Sequence, residues 1–281
     1  TGRSWKPGEK SFLPEELSSL VIRSIVEDAQ NYLGEEIEEA VISVPAYFHD
    51  EQRVAVKRAG ALAGIHVERI VNEPSAAALA SYFTANEEQN MLVFDFGGGT
   101  LDVSLVDCFD TMVEIVSVAG NNRLGGDDFD RLIAEHFLRE HGMGRKQLRA
   151  QEYAVLLKQA ERCKKLLSEQ EEVVMHAMVG DQVYESTYTM DRLFEESKAL
   201  LKEIRQVIGR ALKDGKMTIH DVDLVVMAGG SSKMPLIQKY IRHLFHKAPM
   251  VQGNCDELIA LGLGLVCGVK ERKEEIKDYI L

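Results

Sequence analysis

The run Asp95-Phe96-Gly97-Gly98-Gly99-Thr100-Leu101-Asp102 constrains this chain more than any other stretch. Apolar runs flank it, Met91–Phe94 before and Val103–Val106 after, and both read as strands. Three consecutive glycines leave the turn between them without Cβ atoms, so backbone N–H groups can approach an anion closely. An ordinary hairpin needs only one or two. Asp95 precedes the turn and Asp102 follows it. Carboxylates beside a phosphate repel it unless a divalent cation, or a water to be activated, lies between them. The pattern points to a nucleotide phosphate, Mg²⁺ and an attacking water. It is no dinucleotide fingerprint, because a strand and not a helix follows the glycines. The Walker A pattern is also missing, since Gly215-Lys216 has neither its spacing nor its Ser or Thr.

Around this hairpin the pattern is α/β. Pro14 opens a helix with Leu17, Val21, Ile25 and Tyr32 on one stripe, ending at Gly34. Ala40–Val44 is a buried-type strand stopped by Pro45. Asp50 is expected to cap a helix reaching Ala63 and Gly64. Val67–Val71 is a second strand, and Asn72 is expected to cap an alanine-rich helix over Glu73–Phe83. Strand, helix, strand, helix implies a largely parallel layer. After the polar stretch Asn86–Asn90, Met91–Val106 and Val113–Val118 read as an antiparallel meander. Helices are expected over Phe129–His141 and Tyr153–Leu167, a hairpin over Val173–Val179 and Val183–Tyr188, and one long helix over Asp191–Leu212. A buried strand, Asp223–Ala228, runs through Gly229-Gly230-Ser231-Ser232 into a helix near Pro235. Helices over Asp256–Gly268 and Lys270–Tyr279 close the chain.

Composition excludes several functions. With 33 basic and 45 acidic residues the net charge is −12, which disfavours non-specific nucleic-acid binding. No apolar run approaches a membrane span. The four cysteines, Cys108, Cys163, Cys255 and Cys267, form no CxxC pair, as expected for incidental thiols in a reducing cytoplasm. The eight histidines supply no HExxH. Starting at Thr1 without Met, the chain is expected to be processed or cut from a longer one.

Other segments are ambiguous taken singly. Gly229-Gly230-Ser231 is either a tight strand-to-helix turn or a seat for an anionic ligand. Glu161, Lys164, Lys165 and Ser168 make a solvated helix end by themselves, and Glu73 suits a helix start. Together the strings Val44-Pro45-Ala46-Tyr47-Phe48, Asn72-Glu73-Pro74-Ser75-Ala76-Ala77-Ala78, Asp95 to Asp102, Leu124-Gly125-Gly126-Asp127-Asp128-Phe129-Asp130 and Gly229-Gly230-Ser231 resemble something specific. They match, in order, the signatures of the ATPase domain of the seventy-kilodalton heat-shock chaperone family, from about Ser11 to Leu281.

The resemblance implies an actin-like (ribonuclease H-like) ATPase fold of two lobes around an ATP cleft. Lobe I would be an incomplete remnant over 1–87, and lobe II complete over 88–281, with a core at about 88–124 and 219–281 and an inserted subdomain at about 125–218. Gly97, Gly98, Gly99 and Thr100 would hold the β- and γ-phosphates, with Gly126 nearby. Asp95 would bind Mg²⁺ through water, and Glu73 and Asp102 would orient or deprotonate the attacking water, Glu73 also lying near the metal. Glu161 and Lys164 would meet the ribose, and Ser168 the adenine amino group. Gly229, Gly230, Ser231, Lys233 and Met234 would border the base, with Lys165 and Asp256 around it. Pro45 and Arg53 match an interdomain switch.

The implied function is an ATP-driven chaperone motor in the cytoplasm, serving unfolded peptides with a J-domain co-chaperone and an exchange factor. A small-molecule kinase and a non-hydrolysing interaction module of the same fold are the alternatives. Departures are informative too. Lys165 and Lys233 stand where the family has arginines that stack on adenine, and lysine cannot stack so. Arg123 and Cys255 replace a usual histidine and proline. The family's first phosphate loop and its γ-phosphate lysine have no counterpart in these 281 residues. Weak nucleotide binding, low turnover and self-association through unpaired strand edges are therefore expected of this chain.

Overall fold

A computed structural model describes residues 11–82, 88–109, 112–180, 182–251 and 255–270. Its helices are α1 (Pro14–Leu33), α2 (Asp50–Ala63), α3 (Glu73–Tyr82), α4 (Gly126–Glu140), α5 (Ala150–Leu166), α6 (Met190–Glu196), α7 (Lys198–Asp214), α8 (Pro235–Phe245) and α9 (Leu258–Lys270). Its strands are β1 (Glu39–Val44), β2 (His66–Asn72), β3 (Gln89–Phe96), β4 (Leu101–Phe109), β5 (Met112–Asn121), β6 (Glu172–Val179), β7 (Gln182–Thr189) and β8 (Leu224–Ala228).

The central sheet has the order β5-β4-β3-β8. The meander pairs antiparallel, and β8 adds to β3 in parallel. Side chains alternate across a strand, so each face acquires its own apolar set. Leu92, Phe94 and Phe96 of β3, with Leu101, Val103 and Leu105 of β4, meet Phe129, Ile133 and Phe137 of α4 and Ile204 and Ile208 of α7 in the larger core. Met91, Val93, Val106 and Val226 point the other way, onto Ala76–Leu79 of α3 and Leu258 and Val266 of α9. Both faces are thus covered by helices. Helix α3 lies on the first side of the division expected at residue 87, yet buries its alanines against the sheet on the second side.

The alanines of α3 let α9 approach very closely. A Cβ on Gly262 would stand 1.9 Å from the Ala76 carbonyl oxygen. The strands β1 and β2 pair in parallel as a separate two-stranded sheet, with α2 beside β2 and α1 packed on α2. Hairpin β6–β7 leans on α5, and the fully buried Tyr188 hydroxyl donates to the Ile133 carbonyl at 2.9 Å.

Several expectations are corrected. His49, not Asp50, is the N-cap of α2: the Gln52 side chain reaches back to the His49 N–H at 3.0 Å, leaving Asp50 in the acidic first turn. Asn72 ends β2, and its Oδ1 accepts from Arg53 Nη2 at 2.6 Å. The helix expected over Asp191–Leu212 is two, α6 and α7, hinged at the buried Ser197, whose hydroxyl donates to the Phe194 carbonyl at 3.3 Å. The helix expected near Pro235 does start there as α8, joined to β8 through a 3-10 turn (Gly230–Lys233). The stripe of α1 faces outward: Leu17 is half-buried, but Val21, Ile25 and Tyr32 are exposed. Phe83, part of the polar stretch Asn86–Asn90 and the helix expected over Lys270–Tyr279 lie wholly or mostly outside the described residues.

Candidate nucleotide-phosphate site

The site begins with register. Asp95, near the end of β3, pairs with Asp102 at the start of β4, bringing two carboxyl-bearing residues opposite each other below the glycine turn. On its other side β3 pairs Asp95 with Ala228 of β8. The next residue, Gly229, has φ +80°, and a Cβ there would lie 2.6 Å from Asp95 Oδ1 and 2.6 Å from the Phe96 carbonyl oxygen. Only glycine meets both demands. Gly120 on β5 leaves similar room for Asp102, whose Oδ1 would be 2.6 Å from a Cβ at that position.

Glu73, at the joint between β2 and α3, brings a third carboxylate. Burial, then Asp95 and Asp102, pushes the Glu73 carboxyl up to about 7. Burial, then Asp102, raises Asp95 to about 6. Burial also raises Asp102. The Tyr47 phenol is raised by burial and then by the negative charge of Asp102 and Glu73. Pro45, Tyr47, Glu73, Asp95 and Asp102 line one recess. Beside it opens a cleft of about 550 Å³ bounded by Tyr47, Asp102, Gly120, Asn121 and Arg210.

Above the carboxylates the turn is tight. The Gly97 N–H donates to the Thr100 carbonyl at 3.0 Å, and Gly98, Gly99 and Thr100 are exposed. The start of α4 packs against it: Gly126 N–H donates to the Gly97 carbonyl at 3.0 Å and Asp127 N–H to the Gly98 carbonyl at 2.8 Å. Such closeness requires Gly125, whose Cβ would come within 2.2 Å of the Gly98 oxygen. Gly99 differs. Its φ is not positive, and a Cβ added there meets nothing within 4 Å. The fold itself therefore has no use for a glycine at 99, whereas an anion seated on the turn would.

The expected base and ribose residues fall around this centre in two groups. Gly126, Lys164 and Ser231 converge, since a Cβ on Gly126 would lie 2.2 Å from Ser231 Oγ and 3.2 Å from Lys164 Nζ. Lys164 is buried; its Nζ donates to the Gly126 carbonyl at 3.0 Å and pairs with Asp130 Oδ1 at 2.8 Å. Lys165 pairs with Glu161 at 2.7 Å on the exposed side of α5, and Ser168 is exposed just beyond that helix. Lys233 pairs with Asp256, against which Gly230 packs tightly. Met234 is buried in the larger core. At the switch positions, Pro45 lines the recess, while Arg53 joins the Phe48 carbonyl (3.1 Å) to Asn72.

Sequence reasoning assigned no role to Tyr47, Gly120 or Asp130. Tyr47 and Asp130 stand inside strings that carried the resemblance, so the signal was present. Gly120 had no local mark.

A two-faced, helix-covered sheet whose first hairpin carries a glycine turn between paired aspartates defines an actin-like nucleotide-binding fold. A family model described as Hsp70 protein matches residues 4–281. Among curated relatives, Chaperone protein dnaK3 of Thermosynechococcus vestitus is 39% identical over 283 residues, covering 97% of this chain and 41% of the relative. Chaperone protein dnaK of Cyanophora paradoxa is 38% identical over 282 residues, with 97% and 45% covered. Chaperone protein DnaK of Thermotoga neapolitana is 39% identical over 287 residues, with 97% and 48% covered. The chain belongs to the Hsp70 family, and it spans less than half the length of these relatives.

Proposed function

We propose that this chain is an ATP-binding and ATP-hydrolysing region of a molecular chaperone, in which the nucleotide cycle sets peptide binding and release elsewhere in the complete protein. The observation that supports it most is the turn at Gly97–Thr100, open where Gly99 leaves space and standing over three half-buried carboxylates whose pKa values are all raised. Residues 1–87 and 88–281 would be parts of its two lobes, unfolded peptides, a J-domain co-chaperone and an exchange factor its partners, and the cytoplasm its location. The thiols of Cys108, Cys163 and Cys255 are buried and outside any disulfide, which accords with that compartment.

The donor set fits Mg²⁺. Glu73, Asp95 and Asp102 offer hard oxygen ligands; burial raises all three carboxyls, and Asp95 and Asp102 add to the rise at Glu73. Asp95 and Glu73 would hold the ion through water, and when bound it would neutralise charge on the phosphates. Backbone N–H groups of Gly98 to Thr100 would fix the phosphate oxygens. Glu73 and Asp102 would orient the attacking water, and Glu73, with a pKa near 7, would take its proton. Pairs Lys165–Glu161 and Lys233–Asp256 would have to open or shift for their lysines to meet a base, which favours a loose grip on adenine.

Calorimetric titration with Mg-ADP tests this reading against the variants Gly99→Val and Asp95→Asn. Gly99→Val is expected to melt like the parent chain, because its side chain enters open space, yet to lose nucleotide affinity. Parent affinity is expected to be weaker than about micromolar, with phosphate contacts coming from one side of the cleft. Unchanged ADP affinity in a folded Gly99→Val variant would overturn the proposal.

A further inference from the structure

A second cluster of metal-ligating side chains lies away from the phosphate site. Glu39, His66 and Glu68 sit at the start of the parallel pair β1–β2. Register sets Glu39 directly beside His66. It then slips: Ala40 faces Val67 but Val41 faces Arg69, so Glu68 is the extra residue of a bulge. Bulges re-aim side chains, and this one leaves Glu68 beside the imidazole, with Oε2 at 3.4 Å from His66 Nε2. One ligand atom from each of the three residues lies within 4.8 Å of the other two.

We propose that Glu39, His66 and Glu68 form a surface site for a divalent transition metal ion of the zinc class. Zinc holds imidazole nitrogen and carboxylate oxygen at about 2.0–2.2 Å, which separates two corners of a tetrahedron by about 3.3–3.5 Å. The His66–Glu68 spacing already has that value. A rotamer change brings Glu39 to the third corner, and water takes the fourth. Imidazole selects this class over Mg²⁺ or Ca²⁺, which prefer oxygen alone. All three side chains are exposed, so solvent competes for the ion and the affinity is modest.

Other His–Glu contacts show what is particular here. His176 and Glu185 meet at 3.1 Å across β6–β7, equally exposed, but no third ligand joins them in a comparable group among the described residues. The position of the triad also has a consequence. Strands β1 and β2 lead, at their other ends, to Pro45 and to Glu73. Two-stranded sheets are marginal on their own, and an ion bridging both strands ties this one together.

The test is calorimetry with zinc chloride in a Cys267→Ser background, since that exposed thiol is another zinc ligand. Saturating Mg²⁺ occupies the carboxylate site during the titration. One zinc per chain is expected, weakened at least about tenfold by His66→Ala and by Glu39→Gln, and unaffected by His176→Ala. Zinc should raise the melting temperature of the background chain and of His176→Ala, but not of His66→Ala. Matching melts without zinc establish that the variants are folded. No binding, binding kept in both triad variants, or an equal loss in His176→Ala each overturns the site.

Discussion

Glu73 shows how much one residue can hold against the fold's interest. Its carboxyl titrates near 7 because burial, Asp95 and Asp102 all disfavour the anion. A raised carboxyl pKa means that the folded state binds the proton more tightly than the unfolded chain does. The stabilisation is therefore complete below the unfolded value of about 4.5 and is lost as pH rises through about 7. Glu73→Gln should accordingly melt higher than the parent chain at pH 8 and almost equally at pH 5. A gain on the order of 1 kcal/mol corresponds to about 2–4 °C for a chain of this size. Thermal melts without divalent ions at the two pH values check this; equal shifts at both would refute it. Burial raises the Asp130 carboxyl as well, but there the Lys164 ammonium at 2.8 Å works against the rise.

At the scale of elements, two glycines on α9 separate packing from propensity. Gly262 meets the Ala76 backbone, so Gly262→Ala forces α3 and α9 apart at a cost of about 1–3 kcal/mol, more than the roughly 1 kcal/mol that alanine gains in a helix. Gly264 has nothing within 4 Å, and Gly264→Ala should be neutral or stabilising. Denaturant unfolding of the two variants should move in opposite directions or clearly diverge. The same contrast explains what the sequence could say. The hairpin around Gly97–Gly99, the parallel strands and the β6–β7 hairpin were readable because their patterns are local. The hinge at Ser197 was not, since a serine inside an amphipathic run leaves the helical period intact. Nor was the side-chain pairing of Arg53 with Asn72, which joins residues nineteen apart in sequence. The carboxylate centre was half readable: Asp95 and Asp102 announce themselves, while Glu73 joins them only through the order of known strings.

For the whole molecule, the uneven cover of apolar surface matters most. The central sheet is buried on both faces, but α1 shows Val21 at 61%, Ile25 at 62% and Tyr32 at 90% exposure. Apolar groups gathered on one helix favour contact with another surface, and among the described residues β1–β2 pairs with no further strand. The 281-residue chain should therefore sediment with a mass that increases with concentration, and the double change Val21→Glu with Ile25→Glu should return it to monomer. A constant monomer mass for the parent chain would remove the idea.

The seat of Gly262 on Ala76 has a mechanical meaning. The ninth helix rests, backbone on backbone, one turn from the residue that begins the third helix, and that residue is Glu73. There is no slack of side chains between them to absorb a tug. A pull on the ninth helix would therefore reach, within one turn, the backbone that holds Glu73 in the candidate phosphate site.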